Sequence, residues 1–284
     1  MMANPQKNEY HILVETADKT AVELLSQASN LSKQKVKQAM KKGCVWLEKP
    51  SGEESQKQYT QRLRRAKKLL SSGERLHFYY DERVLNEAPT GAILIADRGG
   101  YSIWNKPPGM LSQGSKWGDH CTINRWAEKH LQPERSAFIV HRLDRAASGL
   151  IILAHKKQVA SAFAKMFQAS EVKKHYRVCV EGDFSRIITE DNTRKTISSD
   201  IDNKNAISHC RIIAYDKSSD ESTLDVEIET GRKHQIRRHL AELKFPVVGD
   251  RLYGTGKSQE NLKLVAVSLE FNCPVSGDKQ LFIL

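Results

Sequence analysis

Short apolar runs recur along the last two-thirds of the chain, separated by polar or charged stretches. Eight of them have the length and composition of strands: AILIAD, YSIWN, AFIV, GLIILA, HYRVCV, SHCRIIAY, STLDVEIE and LVAVSLEF. Three stretches with helical spacing lie among them: TINRWAEKH, HKKQVASAFAKMFQ and RKHQIRRHLAEL. The strands come in neighbouring groups rather than alternating with helices. This order predicts an α+β fold with a mixed, mainly antiparallel sheet and flanking helices, not a doubly wound fold.

The N-terminal part has a different pattern. Residues 31–42 predict a short basic helix, with Ser32 as its N-cap and Gly43 as its stop. Strands are expected at 44–47 and 75–80, and a linker near 81–91. We therefore expect a small α/β module at residues 1–85 and a larger α+β domain at 86–284. A chain of 284 residues is long enough for two such cores.

Positive charge is concentrated in the N-terminal module. The chain has a formal net charge of +11 and a pI near 9.4. Residues 31–80 contain 13 Lys or Arg against 4 Asp or Glu, an excess of nine. This excess favours a polyanionic partner such as RNA, because each phosphate contact releases a counterion. A solvated helical face without a partner remains the alternative.

Other classes of protein are disfavoured. The five cysteines are scattered and never form C-x-x-C, so neither a zinc site nor a disulfide framework is indicated. His234 and His239 lie five residues apart, which does not place them on one helical face as metal ligands. No apolar signal core and no stretch long enough to cross a membrane is present, so we expect a cytoplasmic protein.

Three polar clusters interrupt the predicted strands and helices. HRLDR, at 141–145, lies between two apolar runs, where a loop could direct it into a cleft or where an Arg-Asp pair could join two strands. KKHYR, at 173–177, opens a strand and offers Tyr176 for stacking on a base, although half-buried strand tyrosines are common. GRKHQIRRH, at 231–239, begins a predicted helix. There Gly231 permits a tight turn and the donors suit phosphates or a carboxylate.

The order of these motifs resembles the RluA family of pseudouridine synthases. HRLDRAASGLIIL is similar to the signature of that family, and KKHYRVCVEG to its second motif. GRKHQIRRHLAELKFPVVGDRLYG is similar to the third motif, with its HQIR core and downstream GD-x-x-YG. NKPPGMLS, at 105–112, resembles the opening strand and turn. The N-terminal module resembles, more loosely, the S4 RNA-binding domain that many members carry.

The resemblance implies a reaction and a site. Asp144 is the expected catalytic carboxylate, Arg237 its guanidinium partner, and Tyr176 the residue that stacks on uracil. Arg142 would fill the space left by a flipped base, and Leu143 and Ile236 would wall the pocket. The expected RNA-binding residues are Lys33, Lys37, Lys41, Arg64, Arg65, Lys67, Arg232 and His234. Ala147 and Lys233 stand where the family commonly has Thr, and neither change removes a group that the reaction needs.

The implied function is isomerisation of uridine to pseudouridine in structured RNA, with ribosomal RNA preferred and transfer RNA as the alternative. The reaction needs no cofactor and no metal, and we expect a monomer without an obligate protein partner. A catalytically idle RNA-binding or ribosome-assembly factor is a second hypothesis. A glycosidase is a third, since Glu227 or Glu229 could supply a second carboxylate.

Overall fold

The computed structural model describes residues 5–50, 59–188, 194–256 and 260–284. The chain divides into two compact units: residues 1–89 with 113–126, and residues 90–112 with 127–284. The described strands are β1 (Lys7–Leu13), β2 (Val45–Lys49), β3 (Tyr59–Arg62), β4 (Arg75–Asp81), β5 (Ile93–Asp97), β6 (Tyr101–Lys106), β7 (Phe138–Ile139), β8 (Ser148–Ala154), β9 (Lys173–Glu181), β10 (Lys195–Asp200), β11 (Asn205–Asp216), β12 (Glu221–Ile228), β13 (Leu264–Asn272) and β14 (Lys279–Ile283). The described α-helices are α1 (Ala21–Ser29), α2 (Lys33–Lys41), α3 (Glu82–Asn86), α4 (Ile123–His130), α5 (Lys157–Gln168) and α6 (Gln235–Glu242).

The first unit is a four-stranded antiparallel sheet, in the order β1-β4-β2-β3, with two helices that share a core with it. Helix α2 begins after Ser32, whose hydroxyl accepts a hydrogen bond from the Lys35 backbone N–H, as its sequence predicts. At the start of α1, the backbone N–H and hydroxyl of Thr20 both donate to the carboxylate of Glu23. Val36 and Leu25 are completely buried in the core.

The segment at 113–126 belongs to this first unit, although it lies in sequence between the NKPPG and HRLD motifs. Its Asp119 carboxylate forms ion pairs with Arg62, Arg64 and Arg125. The Lys116 ammonium pairs with Glu9 of β1 at 2.8 Å. These ion pairs connect the segment to β1 and β3 within the unit.

The second unit contains a ten-stranded mixed sheet. Its order is β10-β11-β12-β9-β13-β8-β6-β5, and β14 and β7 pair with β13 and β8. Among the described strands, only β13 and β8 pair in parallel. Gly149 makes this close pairing possible, because its φ is +107° and a Cβ built there would lie 2.3 Å from the Ala266 carbonyl oxygen. The fold is α+β with a mixed, mainly antiparallel sheet, which confirms the prediction.

The register of three neighbouring strands brings two of the polar clusters together. Ala266 of β13 pairs with Gly149 of β8 on one side and with Tyr176 of β9 on the other. Adjacent strands lie about 4.8 Å apart, so Tyr176 is roughly 10 Å from the start of β8. The HRLD loop immediately precedes β8. The sheet therefore brings this loop to the same end as Tyr176.

The eight strands predicted for the larger domain are all present, but AFIV contributes only two residues, Phe138–Ile139, to a strand. The predicted linker near 81–91 is partly wrong, because residues 82–86 form α3, capped by the Asp81 carboxylate. Strands β1, β3, β10 and β14 and helix α1 were not predicted. None of the described helices is long and apolar enough to span a membrane.

Candidate active site

Asp144 lies in the loop between β7 and β8, and about a quarter of its side chain is exposed. Its Oδ2 accepts a hydrogen bond from Arg237 Nη1 at 3.1 Å. The two residues are separated by 93 positions in the sequence, so the pair exists only in the folded chain. A partly exposed carboxylate beside a buried guanidinium can meet a ligand while its charge is compensated.

Arg237 projects from α6 and is only 5% exposed. Asp250 takes its other two nitrogens, with Nε and Nη2 each 2.7 Å from a carboxylate oxygen. Burial alone would lower the pKa of Arg237, but these hydrogen bonds outweigh it and raise the pKa above the usual value. The guanidinium is therefore a fixed positive charge with one remaining nitrogen, Nη1, directed at Asp144.

The Asp250 carboxylate is also held by backbone hydrogen bonds. Its Oδ1 accepts hydrogen bonds from the backbone N–H groups of Leu252 and Tyr253, at 2.9 and 3.1 Å. Burial alone would raise the pKa of this carboxyl group, but the bonds from Arg237 and the backbone outweigh it, and the pKa is lowered. The sequence alone indicated no role for Asp250, although this residue is the aspartate of the GD-x-x-YG motif.

Tyr176 lies on β9 and is 7% exposed. Burial, and secondly the charge of Asp144, raise the pKa of the phenol above its usual value. At neutral pH the phenol therefore remains protonated, and it can donate a hydrogen bond or stack without carrying charge.

His234 faces the other oxygen of Asp144. Its Nε2 is 3.8 Å from Asp144 Oδ1, and its Nδ1 is hydrogen-bonded to the Tyr253 hydroxyl at 3.0 Å. Burial lowers the pKa of His234, although the charge of Asp144 opposes this. His234 also adopts a left-handed backbone conformation, with φ of +55°. The turn predicted at Gly231 therefore contains a left-handed residue at His234. This conformation is uncommon for residues other than glycine.

Lys106, the lysine of the NKPPG motif, is completely buried. Its ammonium donates hydrogen bonds to the backbone carbonyls of Pro107, Met110, Arg145 and Ala147. Burial lowers its pKa to about 8, and the charge of Asp144 opposes the shift. The lysine joins the NKPPG turn to the backbone that follows Asp144, a role that no local sequence pattern indicated.

Two further contacts hold the backbone around the site. The Ser112 hydroxyl accepts from the Leu143 backbone N–H at 3.0 Å and donates to the Leu143 carbonyl at 2.7 Å. The Gln235 side-chain amide donates to the Ile207 carbonyl at 2.9 Å, while its oxygen accepts from the Arg232 backbone N–H. The residue before Asp144 and the turn before Arg237 are thereby fixed.

The remaining predicted residues of this unit have varied environments. Arg142 is exposed on the HRLD loop, whereas Leu143 and Ile236 are buried, at 7% and 6% exposure. Arg232 is half-buried, and its Nε donates to the Asn205 carbonyl at 3.0 Å.

The predicted RNA-binding residues of the first unit are mostly exposed. Lys33, Lys37 and Lys41 lie on α2 at four-residue spacing, which places them on one face of the helix. Lys33 pairs with Glu23 at 3.0 Å. Arg65 and Lys67 are exposed, but the Arg64 guanidinium is occupied by Asp119 and the Lys41 carbonyl.

The structure does not support the glycosidase hypothesis, which requires a second carboxylate facing the same site as Asp144. Val226 is the partner of Tyr176 in the β9–β12 ladder, so the two side chains lie on the same face of the sheet. The adjacent Glu227 therefore faces the opposite side, where it pairs with Arg194 at 3.3 Å. Within the described parts of the chain, no group of three or more His, Cys, Asp or Glu residues is arranged to hold a metal ion.

Comparison with known proteins gives this arrangement a family. Residues 100–242, half of the chain, match the family model described as RNA pseudouridylate synthase. This chain belongs to that family. The matched range includes HRLD, Tyr176 and Arg237, whereas Asp250 lies beyond it.

Individual pseudouridine synthases are similar to more than half of this chain. The tRNA pseudouridine synthase C of Vibrio vulnificus is 33% identical over 54% of this chain and 70% of the relative. The ribosomal large subunit pseudouridine synthase D of Xanthomonas campestris is 30% identical, over 62% of this chain and 60% of the relative. This chain thus spans only about 60% of the length of some curated relatives.

The solved structure of human RNA pseudouridylate synthase domain containing 1 has a similar fold. It superposes with a TM-score of 0.57 and 19% identity, covering 70% of this chain and 85% of the human one. The α+β pseudouridine synthase fold is therefore shared by both proteins.

Proposed function

We propose that this protein is an RNA pseudouridine synthase with Asp144 as its catalytic carboxylate. The observation that carries the proposal is the Asp144–Arg237 pair at 3.1 Å, in which a buried guanidinium holds a partly exposed carboxylate. The family match covers both residues of the pair.

The reaction breaks the bond between uracil N1 and the ribose C1′, leaving the electron pair on the base. The base turns, C5 bonds to C1′, the C5 proton is lost and N1 gains a proton. Asp144 would act on C1′ either as a nucleophile or by stabilising the positive charge that develops there, as carboxylates do in glycoside hydrolysis. Either role requires a negatively charged carboxylate, and Arg237 Nη1 lies 3.1 Å from its Oδ2 to compensate that charge.

The neighbouring residues would handle the base. A stacked uridine must leave its helix to reach Asp144, at a cost of a few kcal/mol. We assign Arg142, which is exposed on the same loop, to the space that the base vacates. Tyr176 would stack on the flipped uracil, and the buried Leu143 and Ile236 would form apolar walls.

We also propose that residues 1–85 form an S4-like RNA-binding module and residues 86–284 the catalytic domain. The support for RNA binding is the row of exposed lysines on α2, with Arg65 and Lys67. Rows of cations on one helix face suit a phosphate backbone.

Structured RNA is the proposed substrate. We prefer ribosomal RNA over transfer RNA because S4-like modules often accompany modification of ribosomal RNA in the family. The Xanthomonas relative is named for the ribosomal large subunit and the Vibrio relative for transfer RNA. We further propose a cytoplasmic monomer that needs no obligate protein partner.

The test is to incubate the purified protein with unmodified ribosomal and transfer RNA and to map pseudouridine by carbodiimide-dependent reverse-transcription stops. We expect a stop at a defined uridine that is absent with the Asp144→Asn variant. If RNA is bound but neither RNA class is modified, the protein is an idle RNA-binding factor and the proposal is wrong.

A further inference from the structure

Two lysines of the second unit are buried, and their ammonium groups have opposite surroundings. Lys106 is 0% exposed and Lys174, on β9, is 9% exposed. The Lys106 ammonium donates to four backbone carbonyls. Within the described residues, the Lys174 ammonium has no hydrogen bond or ion pair and only faces the Phe167 ring, 5.7 Å from its centroid. Lys106 is thus explained by its contacts within the protein, and Lys174 is not.

The Lys174 ammonium keeps some contact with solvent, since the fully buried polar side-chain atoms without a partner among the described residues belong to Tyr101, Asp119, Arg135 and His239. Its largely buried side chain nevertheless loses part of its hydration without gaining an ion pair. Burial alone lowers the pKa of Lys174 to about 8, whereas for Lys106 the charge of Asp144 opposes the effect of burial. His141 lies nearby and does not compensate the charge. Its own pKa is lowered to about 3 by burial and by Lys174, so it is neutral. Such a group is retained at functional sites where a ligand supplies the missing partner.

The position of Lys174 indicates which ligand could do so. Side chains alternate along a strand, so Lys174 and Tyr176 face the same side of the sheet, roughly 7 Å apart. A Cβ built at the exposed Gly231 would lie 4.0 Å from the Lys174 Nζ. Gly231 opens the cationic turn that continues with Arg232 and Lys233 and leads into the N-terminus of α6. Helix N-termini and clustered cations both attract anions.

We propose that Lys174 binds a backbone phosphate next to the flipped uridine, at an anion site completed by the Gly231 turn. The spacing fits, because the phosphates that flank a nucleotide lie several ångströms from its base. The site would hold the RNA strand while Tyr176 and Asp144 act on the base and the sugar. This inference rests on the proposed function, and it makes Lys174 a substrate-binding residue rather than a group that takes part in the chemical step.

The test uses the full chain and three variants. Lys174→Met removes the charge and keeps the length of the side chain. Lys173→Met is the matched control, since Lys173 is the next residue on β9, is exposed and pairs with Glu270. Lys174→Gln is the second variant, in case Lys174→Met does not fold. Lys174→Met removes a partly desolvated charge that has no ion pair, so the melting temperature of this variant should be equal to or above that of the wild type.

The measurement is the Kd and KM for an RNA transcript that spans the mapped uridine, over a series of KCl concentrations. Lys174→Met should raise both constants roughly tenfold, leave kcat within about twofold, and reduce the slope of log Kd against log salt by about one. Lys173→Met should leave all of these values close to those of the wild type.

A second transcript, with one neutral methylphosphonate linkage beside the target uridine, identifies the phosphate. On this RNA the wild type should bind as weakly as Lys174→Met, and the variant should lose no further affinity. Unchanged Kd for the variant, weaker binding with an unchanged salt slope, or additive effects of the variant and the neutral linkage would each overturn the inference. An inactive wild type would instead reject the proposed function, and the inference with it.

Discussion

Asp250 holds two of the three nitrogens of Arg237, at 2.7 Å each, and leaves only Nη1 for Asp144. The guanidinium thus has one orientation, and that orientation places a positive charge 3.1 Å from the proposed catalytic oxygen. Asp250 is in turn held by two backbone N–H groups of the loop that follows it. The position of Asp144 therefore depends on a loop about a hundred residues away in the chain.

The Asp250→Asn variant tests this dependence. The substitution does not change Asp144, but the Nε and Nη2 groups of the buried Arg237 lose their carboxylate partner. We expect the free energy of unfolding to fall by about 3 kcal/mol and turnover to fall about a hundredfold. Asp202→Asn is the control, because Asp202 pairs with Arg238 on the surface and is 66% exposed. Thermal unfolding and single-turnover rates measure both effects. A fully active Asp250→Asn variant would contradict the account of how Asp144 is oriented.

The Tyr176→Phe variant separates the ring from the hydroxyl. Phenylalanine retains the flat face, so RNA affinity should stay within about twofold of the wild type. If the phenol takes part in proton transfer, turnover should fall by about a hundredfold. Because the pKa of Tyr176 is raised, the wild-type pH–rate profile should show no loss of activity from its ionisation below about pH 10. Tyr215→Phe, in a strand outside the site, is the control. Full turnover in Tyr176→Phe would limit the residue to stacking.

Lys106 gives the protein a specific dependence on pH. Its pKa is about 8 in the folded state, against an ordinary value of 10.5. Between these two pH values the unfolded chain binds the extra proton, so this lysine makes the free energy of unfolding rise with pH. In Lys106→Met that rise should be missing, and the variant should also be about 1–3 kcal/mol less stable. Denaturant unfolding at pH 8 and pH 10 measures the difference.

The control for Lys106 is Lys129→Met, since Lys129 is exposed on α4. It should differ little from the wild type at either pH. If the stability gap between the wild type and Lys106→Met were the same at pH 8 and pH 10, the buried ammonium would not have the lowered pKa assigned to it.

The exposed face of α2 tests the RNA-binding role of the N-terminal module. Replacing Lys33, Lys37 and Lys41 by Gln should weaken RNA binding and reduce the slope of log Kd against log salt by up to about three. A second triple variant, Lys129, Lys157 and Lys217→Gln, changes the net charge equally at exposed lysines outside α2. If both triple variants lose the same affinity, overall charge and not the α2 face attracts the RNA.

The sequence predicted the elements whose signals are local. The Ser32 cap and the apolar spacing at Val36 and Met40 identified α2, and the period-two pattern of STLDVEIE identified β12. Helix α1 was missed although Thr20 and Glu23 form a T-x-x-E capping box, which is a readable signal. Strand β1 was missed because its exposed face carries Lys7, Glu9 and His11, and only the partner β4 makes it a strand.

The sequence predicted only those residues of the site that lie in recognisable motifs. Asp144, Tyr176 and Arg237 came from the resemblance, and their proximity follows from strand register and long-range pairing. Lys106 could not have been found, because a lysine next to two prolines has the composition of an exposed turn. Its burial depends on carbonyls contributed by residues about forty positions away.

The most direct test of the central claim follows the hydrogen that the reaction must release. RNA transcribed with uridine tritiated at C5 loses tritium to water when C5 bonds to the ribose. With the wild type we predict tritium release from the mapped uridine, and with Asp144→Asn no release above background, while the Kd for the same RNA stays within about twofold. Release by Asp144→Asn at the wild-type rate would contradict the assignment of Asp144 as the catalytic carboxylate.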